Sequence, residues 1–439
     1  MYAKDRVALT PPMGWNSWDC YGPAVNEEQL LGNAAYMAQY LKPYGWEYVV
    51  CDIQWAEPRA GQEGWDYIPF APLEMDGYGR LMPAVNRFPS AANGQGFKPI
   101  ADKIHAMGLK FGIHIMRGVP RQAVHAQLPV LGAGGVTCNR IASTTSICYW
   151  NSDMYGVDAS KPGAQEYYHS LFQLYAQWGV DYVKVDDIAR IAAFGRPGAP
   201  MVPYGEKEVE MIRRAIDQCG RPMVLSLSPG SAPIEAAWHL RKHANMWRMS
   251  GDFWDNWPAL KAMFRHCELW QRQVSPGCWP DCDMLPFGHI SITGDGVGHW
   301  TYFTRDEQRT VMTLWSIFRS PLMMGGEMRK NDQWTLELLT NTEVLRVLKH
   351  GSGAVQLFRT DDEAAWTSVD EDGSVYLALF NLSDEDGRTV RVSLSDLDLT
   401  GPQALRDLWE AADRGIAEDT VSVVLPHHAS ALYRLRPAK

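Results

Sequence analysis

The sequence predicts an α/β protein in which a (β/α)₈ barrel is followed by a smaller antiparallel β-sandwich. From residue 13 to about residue 340, short runs of β-branched and aromatic residues alternate with longer helical patterns. Nearly continuous apolar strands separated by helices are typical of parallel strands that are buried on both faces. After about residue 344, short strand-like segments follow one another with Asp, Gly and Asn turns between them. We therefore assign residues 1–343 to the barrel and residues 344–439 to the sandwich.

The barrel elements follow from this alternation. The predicted strands are 46–53, 109–115, 181–187, 222–228, 245–249 and 320–324. The predicted helices include 27–41, 98–107, 163–178, 206–219, 258–273 and 304–318, and Thr304 and Glu307 have the spacing of a capping box at the start of the last one. An open doubly wound sheet also fits the alternation. The number of units and the absence of a glycine fingerprint after the first strand favour the closed barrel.

Two segments lack regular patterning and are too long for plain connections. They are residues 55–97 and 116–160, which follow the predicted strands 46–53 and 109–115. We expect both to be loops that build a site at the carboxyl-terminal face of the barrel. In the sandwich, the predicted strand segments are 353–359, 373–382, 388–393 and 420–435.

Composition and charge exclude several classes of function. The chain has 439 residues, 46% of them hydrophobic and 21% charged, and a net charge of −10. An acidic chain is a poor partner for nucleic acid or for an anionic membrane. The first fifteen residues contain no apolar stretch of the kind found in a secretory signal, and no segment has the length and apolar character of a membrane span, so we expect a cytoplasmic protein. The eight cysteines form no C-x-x-C pair, and we expect buried, reduced thiols.

Acidic residues at strand ends are the first candidates for chemistry, because a barrel places catalytic side chains there. Asp52 lies at the end of the predicted strand 46–53, Asp186 and Asp187 end the predicted strand 181–187, and Asp252 follows the predicted strand 245–249. Lys184 faces the same side of its strand as Asp186, and Arg248 precedes Asp252 by four residues. Two carboxylates across a pocket can act as a nucleophile and a general acid/base in glycoside hydrolysis. Nearby tryptophans suit the faces of sugar rings, although core packing is the alternative for each of them.

Six motifs in order carry a resemblance to a known family. They are PPMGWNSWDCYG (11–22), CDIQW (51–55), YVKVDD (182–187), WRMSGDFWDNW (247–257), GCWPDCDML (277–285) and SPLMMGG (320–326). Together they resemble the successive signatures of glycoside hydrolase family 27, the α-galactosidase or melibiase family. The resemblance extends over essentially the whole chain and includes the sandwich.

The resemblance implies roles for the charged residues. Asp186 matches the catalytic nucleophile, and Asp252 matches the general acid/base. Lys184 and Arg248 match basic residues that hold sugar hydroxyls, with Arg248 nearer the 2-hydroxyl. We expect Lys184 to keep Asp186 ionised. Asp252 has to be protonated at the start of the reaction and so needs a raised pKa in the loaded site.

The resemblance also implies a binding pocket for the sugar ring. Asp52 matches the first of two aspartates that bind the far side of the ring, and Trp18 matches an aromatic residue that flanks it. Ser228, or a neighbour in SLSPG, lies where the family selects the substituent at C2. The absence of a clear acetamide-binding signature in that loop disfavours N-acetylgalactosamine.

The sequence departs from the usual pattern of the family at Ile53, where most members carry a second aspartate. In this respect it resembles the subset of β-L-arabinopyranosidases, whose sugar has the ring configuration of α-D-galactopyranose without the C6 hydroxymethyl group. An aspartate at this position would be left unpaired by the pentose. The alternative is an α-galactosidase in which another polar group binds the 6-hydroxyl. His114 and residues 116–121 also depart from the commonest pattern, so the acceptor side of the pocket stays open.

Other functions on the same barrel are a sugar-binding or regulatory protein without activity and a transglycosylase. The first is disfavoured because both carboxylates and their basic neighbours are present, and only product analysis separates the second from a hydrolase. No metal or organic cofactor is implied, since two carboxylates suffice for glycosyl transfer. We expect a short oligosaccharide or glycoside as substrate, and a homo-oligomer stays open.

Overall fold

The computed structural model describes residues 2–191, 204–293 and 296–438, and its larger unit is a barrel of eight parallel strands. We number these barrel strands β1 to β8 in chain order. They are Met13–Asn16, Tyr48–Cys51, Lys110–Met116, Tyr182–Asp186, Val224–Leu227, Met246–Arg248, Trp279–Asp281 and Leu322–Met324.

The strand order confirms the predicted (β/α)₈ barrel. The sheet runs β7-β6-β5-β4-β3-β2-β1-β8, and every pairing in it is parallel. A parallel bridge between Leu285 and Met324 links the segment after β7 to β8. Strands β1 and β7 were not among the predicted strands.

Six helices lie where the longer sequence patterns predict them, namely Glu27–Tyr36, Lys98–Ala106, Ala164–Trp178, Glu206–Gln218, Trp257–Trp270 and Arg305–Phe318. The helices Ala237–His243, Gln333–Thr340 and Thr342–His350 were not among the predicted ones. The predicted capping box is present, since Glu307 N donates to Thr304 Oγ1 and Thr304 N donates to Glu307 Oε2. Within the described residues, no helix combines the length and the apolar character needed to cross a bilayer.

The two long connections differ from one another. Residues 52–97 consist mainly of turns, with one 3₁₀ segment at Pro89–Gly94. Residues 117–160 contain a three-stranded antiparallel sheet, which the prediction of an unpatterned loop missed, formed by Val119–Pro120, Met154–Val157 and Ala142–Ile147. One of its strands, Ala142–Ile147, is rich in serine and threonine, and the other two have only four and two residues, so none shows the apolar alternation of a typical strand.

The sandwich is confirmed as a separate antiparallel layer. One sheet contains Ser352–Arg359, Glu363–Val369, Val375–Asn381, Ser430–Pro437, Gln403–Asp407 and Ala412–Ala417 in that spatial order, and a second pairs Arg388–Ser393 with Thr420–Leu425. Phe380 of the sandwich meets Phe264 of the barrel edge to face, with ring centroids 4.8 Å apart. The domain boundary at residues 343 and 344 stays a prediction.

All eight cysteines are free thiols, and seven of them are buried. This agrees with the expectation of buried, reduced thiols.

Candidate active site

The carboxyl ends of the barrel strands bring the predicted charged residues together. Asp52 directly follows β2, Asp186 is the last residue of β4, and Arg248 is the last residue of β6. In the register of β3 and β4, His114 lies beside Lys184, and Met116 lies beside Asp186. Side chains on neighbouring parallel strands therefore point into the same mouth of the barrel.

Asp52 is fixed by three donors. Its Oδ2 accepts hydrogen bonds from Asn16 Nδ2 at 2.8 Å and Lys184 Nζ at 3.0 Å, and its Oδ1 accepts one from the backbone N–H of Ile53 at 2.8 Å. Burial alone would raise the pKa of Asp52, but Lys184, with His114, holds it well below its usual range. The carboxylate is therefore an ionised acceptor of fixed orientation.

Asp186 is paired with His114. Asp186 Oδ2 lies 2.9 Å from His114 Nε2, and Asp186 Oδ1 accepts a hydrogen bond from the backbone N–H of Asp187 at 2.8 Å. A carboxylate can only accept, so Nε2 carries the proton, and the buried Nδ1 has no partner among the described residues. Burial opposes ionisation, yet the hydrogen bond and charge of His114, together with Lys184, lower the pKa of Asp186. Asp186 is thus an ionised carboxylate available as a nucleophile.

Lys184 contacts a different carboxylate from the one that it is predicted to keep ionised. The closest partner of Lys184 is Asp52, and the hydrogen-bond partner of Asp186 is His114. Lys184 lowers the pKa of Asp186 only through its charge.

Arg248 connects the second candidate carboxylate to the barrel interior. Its Nη1 lies 2.7 Å from Asp283 Oδ1, and its Nη2 lies 3.3 Å from Asp252 Oδ1. The Arg248 side chain is buried, whereas that of Asp252 is 55% exposed. Asp252 therefore lies at the open edge of the site, where a leaving group and water can reach it.

Tyr67 lies close enough to the three carboxylates for their charges to act on it. The pKa of this phenol is raised well above its usual value by burial and by the charges of Asp186, Asp52 and Asp252. The Trp18 ring stacks against Tyr67 with centroids 6.3 Å apart and an interplanar angle of 15°. Trp18 also meets Trp65 edge to face at 5.4 Å. The loop after β2 thus supplies an aromatic wall to the site, as predicted for residues 55–97.

Ile53 lies in an apolar cluster. It is 5% exposed and packs with Met116, Cys148 and Met154. These buried neighbours come from the end of β3 and from the second long connection. The aromatic side chains of Trp18, Tyr67 and Trp150 pack against this cluster, so the position beside Asp52 is mainly apolar, and the Tyr67 hydroxyl is a polar group near it.

Ser228 follows β5 and lies beside the end of β4. Its backbone N–H donates to the carbonyl of Val185 at 2.9 Å, and its carbonyl accepts from the backbone N–H groups of Ile188 and Ala189. The hydroxyl is buried and has no partner among the described residues.

Sequence reasoning missed an acidic pair at the end of β7. Asp281 and Asp283 line a polar pocket with Asn16, Lys184 and Arg248. Burial raises the pKa of Asp281 to about 7 although Arg248 opposes it, and burial also raises the pKa of Asp283. The close spacing of the two aspartates in PDCD was the available signal.

Comparisons with known proteins agree with this geometry. One family model, described as α-galactosidase A, matches residues 149–350, and another, described as the α-galactosidase C-terminal β-sandwich domain, matches residues 360–435. The structure is similar to that of a family 27 β-L-arabinopyranosidase from Geobacillus stearothermophilus in complex with arabinose. That similarity has a TM-score of 0.95 and 56% sequence identity, covering 100% of this chain and 99% of the other.

Two further relatives carry different names. A protein from Bacillus halodurans described as a putative α-N-acetylgalactosaminidase has a TM-score of 0.87 and 51% identity, and the match covers 98% of each chain. The α-galactosidase of Cyamopsis tetragonoloba is 28% identical over 440 residues, which cover 99% of this chain and 88% of the relative.

Proposed function

This chain belongs to glycoside hydrolase family 27, and we propose that it is a retaining exo-glycosidase that releases terminal β-L-arabinopyranosyl residues. We expect terminal α-D-galactopyranosyl residues to be released more weakly. The apolar cluster around Ile53, directly beside the sugar-binding candidate Asp52, is the observation that carries this specificity.

The proposed reaction is a double displacement by two carboxylates. Asp186 attacks the anomeric carbon while Asp252 protonates the departing glycosidic oxygen, which gives a covalent glycosyl-enzyme. Water, deprotonated by Asp252, then attacks the same carbon and releases Asp186. Two inversions give net retention. The hydrogen bond from His114 and the lowered pKa of Asp186 support its role as nucleophile.

The remaining polar groups bind the ring. Asp52 and Lys184 offer a charged pair to the hydroxyls on the far side of the sugar, and Arg248 is assigned to the 2-hydroxyl. Trp18 flanks the ring, and the unpartnered hydroxyl of Ser228 is assigned to the C2 side. His114 is buried against Asp186, which favours a positioning role over direct contact with the sugar.

Ile53 sets the preference for a pentose. A 6-hydroxyl placed against Met116, Cys148 and Met154 would lose its hydrogen bonds to water, at a cost of about 1–3 kcal/mol. The pentose has no 6-hydroxyl, so its binding carries no such free-energy cost at this position. The similarity to a protein named β-L-arabinopyranosidase supports this assignment.

The second candidate is an α-galactosidase, which the names of the two family models and of the Cyamopsis relative favour. It requires another partner for the 6-hydroxyl. The indole N–H of Trp18 and the hydroxyl of Tyr67 are candidates, because both side chains pack against the Ile53 cluster and the Trp18 N–H has no partner among the described residues.

The test is kcat/KM of the wild-type protein on p-nitrophenyl β-L-arabinopyranoside and p-nitrophenyl α-D-galactopyranoside. We expect the arabinoside to be preferred by at least about tenfold, which is roughly 1.4 kcal/mol. A tenfold preference for the galactoside would establish the second candidate instead.

A further inference from the structure

A second group of ionisable side chains lies between two helices that carry none of the active-site residues. His239 and His243 lie four residues apart on the helix Ala237–His243, so they share one face. Glu210 lies on the neighbouring helix Glu206–Gln218. One nitrogen of each histidine and one oxygen of Glu210 all lie within 4.8 Å of one another. In the described part of the chain, no other three His, Cys, Asp or Glu residues meet in this way.

His239 is held in the orientation that a metal ligand requires. Its Nδ1 lies 2.8 Å from the hydroxyl oxygen of Tyr204, while Nε2 faces Glu210 Oε1 at 3.4 Å and Glu206 Oε1 at 4.0 Å. In histidine metal sites, the second ring nitrogen is usually hydrogen bonded, which fixes the tautomer and the direction of the ligating nitrogen. Tyr204 is in the position to do this for Nε2 of His239.

The second imidazole lies against the first. The ring centroids of His239 and His243 are 4.3 Å apart with an interplanar angle of 33°. His239 is buried, whereas His243, Glu206 and Glu210 are only partly buried. The three partly buried side chains can therefore adjust by rotation when an ion enters between them.

From this geometry we propose that Glu210, His239 and His243 form a binding site for a divalent transition metal ion such as Zn²⁺. Two imidazoles and one carboxylate are a ligand set that Zn²⁺ accepts, with water or Glu206 completing four-coordination. Mg²⁺ and Ca²⁺ prefer oxygen ligands and fit this set poorly. The ion would join the helices that follow β4 and β5, away from the glycoside site.

Positively charged side chains near the proposed site oppose the binding of a metal ion. Lys207 Nζ lies 3.1 Å from Glu210 Oε1, and Lys242 and Arg213 also act on His243. Lys207 is 67% exposed, so it can turn away from Glu210 into solvent when a metal ion binds. Removing Lys207 should therefore leave metal affinity unchanged or increase it.

The test is a calorimetric titration of the full-length, EDTA-treated protein with Zn²⁺ alone. We expect one ion per chain with a Kd on the order of micromolar or below, and a rise in Tm with Zn²⁺ as binding to the folded state requires. Co²⁺ should give the visible absorption of a four-coordinate ion.

The variants separate this site from adventitious binding. H243A and E210Q should each weaken Zn²⁺ binding by at least about tenfold, and Tyr204→Phe by about tenfold through loss of the supporting hydrogen bond. K207A should bind Zn²⁺ at least as tightly as the wild type. The matched control is H350A. His350 lies 3.0 Å from the carboxylate of Glu371, but this pair does not belong to a group of three possible metal ligands. Absence of stoichiometric binding to the wild type, or equal affinity in E210Q and the wild type, would overturn the proposal.

Discussion

The substitution Ile53→Asp should move the preference of the enzyme from the pentose toward the hexose. The side chain of Ile53 is 5% exposed among apolar neighbours, and the new carboxylate would lie next to Asp52. With the arabinoside bound, this carboxylate has no hydroxyl partner. With the galactoside bound, it accepts a hydrogen bond from the 6-hydroxyl.

The magnitude follows from these two situations. A charge-assisted hydrogen bond contributes about 1.5–3 kcal/mol, and leaving a buried polar group unpaired costs about 1–3 kcal/mol. The lower limits together are about 2.5 kcal/mol, so the ratio of kcat/KM for galactoside over arabinoside should rise by roughly 70-fold or more.

The assay is release of p-nitrophenol from both glycosides by the wild type, Ile53→Asp and Ile53→Val. The valine variant stays apolar and should keep the preference of the wild type. A thermal melt of each variant shows whether it is folded, since burying a carboxylate in place of isoleucine also costs stability. If folded Ile53→Asp keeps the wild-type ratio within twofold, Ile53 does not exclude the 6-hydroxyl and the reasoning is wrong.

Three further predictions concern pairing, pH and packing. Lys184→Met removes the ammonium group that lies 3.0 Å from Asp52, so the pKa of Asp52 should rise. We expect kcat/KM to fall by about 100-fold and the acid limb of its pH profile to move to higher pH. Asp281, whose pKa is raised to about 7, binds more protons in the folded state than in the unfolded state between about pH 4 and 7. Its contribution to stability is therefore full below about pH 4 and is lost as the pH rises through 7, so Asp281→Asn should reduce the fall in Tm between pH 5 and 7.5. Phe264→Ala removes a fully buried ring that contacts Phe380 of the sandwich. Denaturant titration should show that the free energy of unfolding falls by about 3–5 kcal/mol. A loss below about 1 kcal/mol would mean that this contact is not important for stability.

The main parts of the fold were predictable because their patterns are long. Helices such as Ala164–Trp178 and Arg305–Phe318 extend over several turns, and β4 ends in a lysine and an aspartate that share one face. Strands β1 (MGWN) and β7 (WPD) escaped prediction because they contain Gly, Asn, Pro and Asp, which are depleted in strands, whereas β6 and β8 are equally short but lack these residues.

The partners within the site depend on register and could not be read from the chain. Lys184 pairs with Asp52 rather than directly with Asp186, because His114 on β3 lies beside Lys184 and reaches Asp186. The surroundings of Ile53 come from segments that are far apart in sequence, since Met116 ends β3 and Cys148 lies in the following connection. The sequence shows that the aspartate is replaced, but only the fold shows that Ile53 packs among apolar and aromatic side chains.

The central claim, that Asp186 is the nucleophile and Asp252 the general acid/base, is tested most directly by azide rescue of Asp186→Ala and Asp252→Ala. Each substitution should lower kcat/KM on p-nitrophenyl β-L-arabinopyranoside by about a hundredfold or more. Azide then replaces the missing carboxylate in the first variant and attacks the glycosyl-enzyme in the second. NMR of the glycosyl azide should show the anomeric configuration opposite to that of the substrate with Asp186→Ala and the same configuration with Asp252→Ala. The reverse assignment of the two products, or normal turnover by Asp186→Ala without azide, would contradict the account.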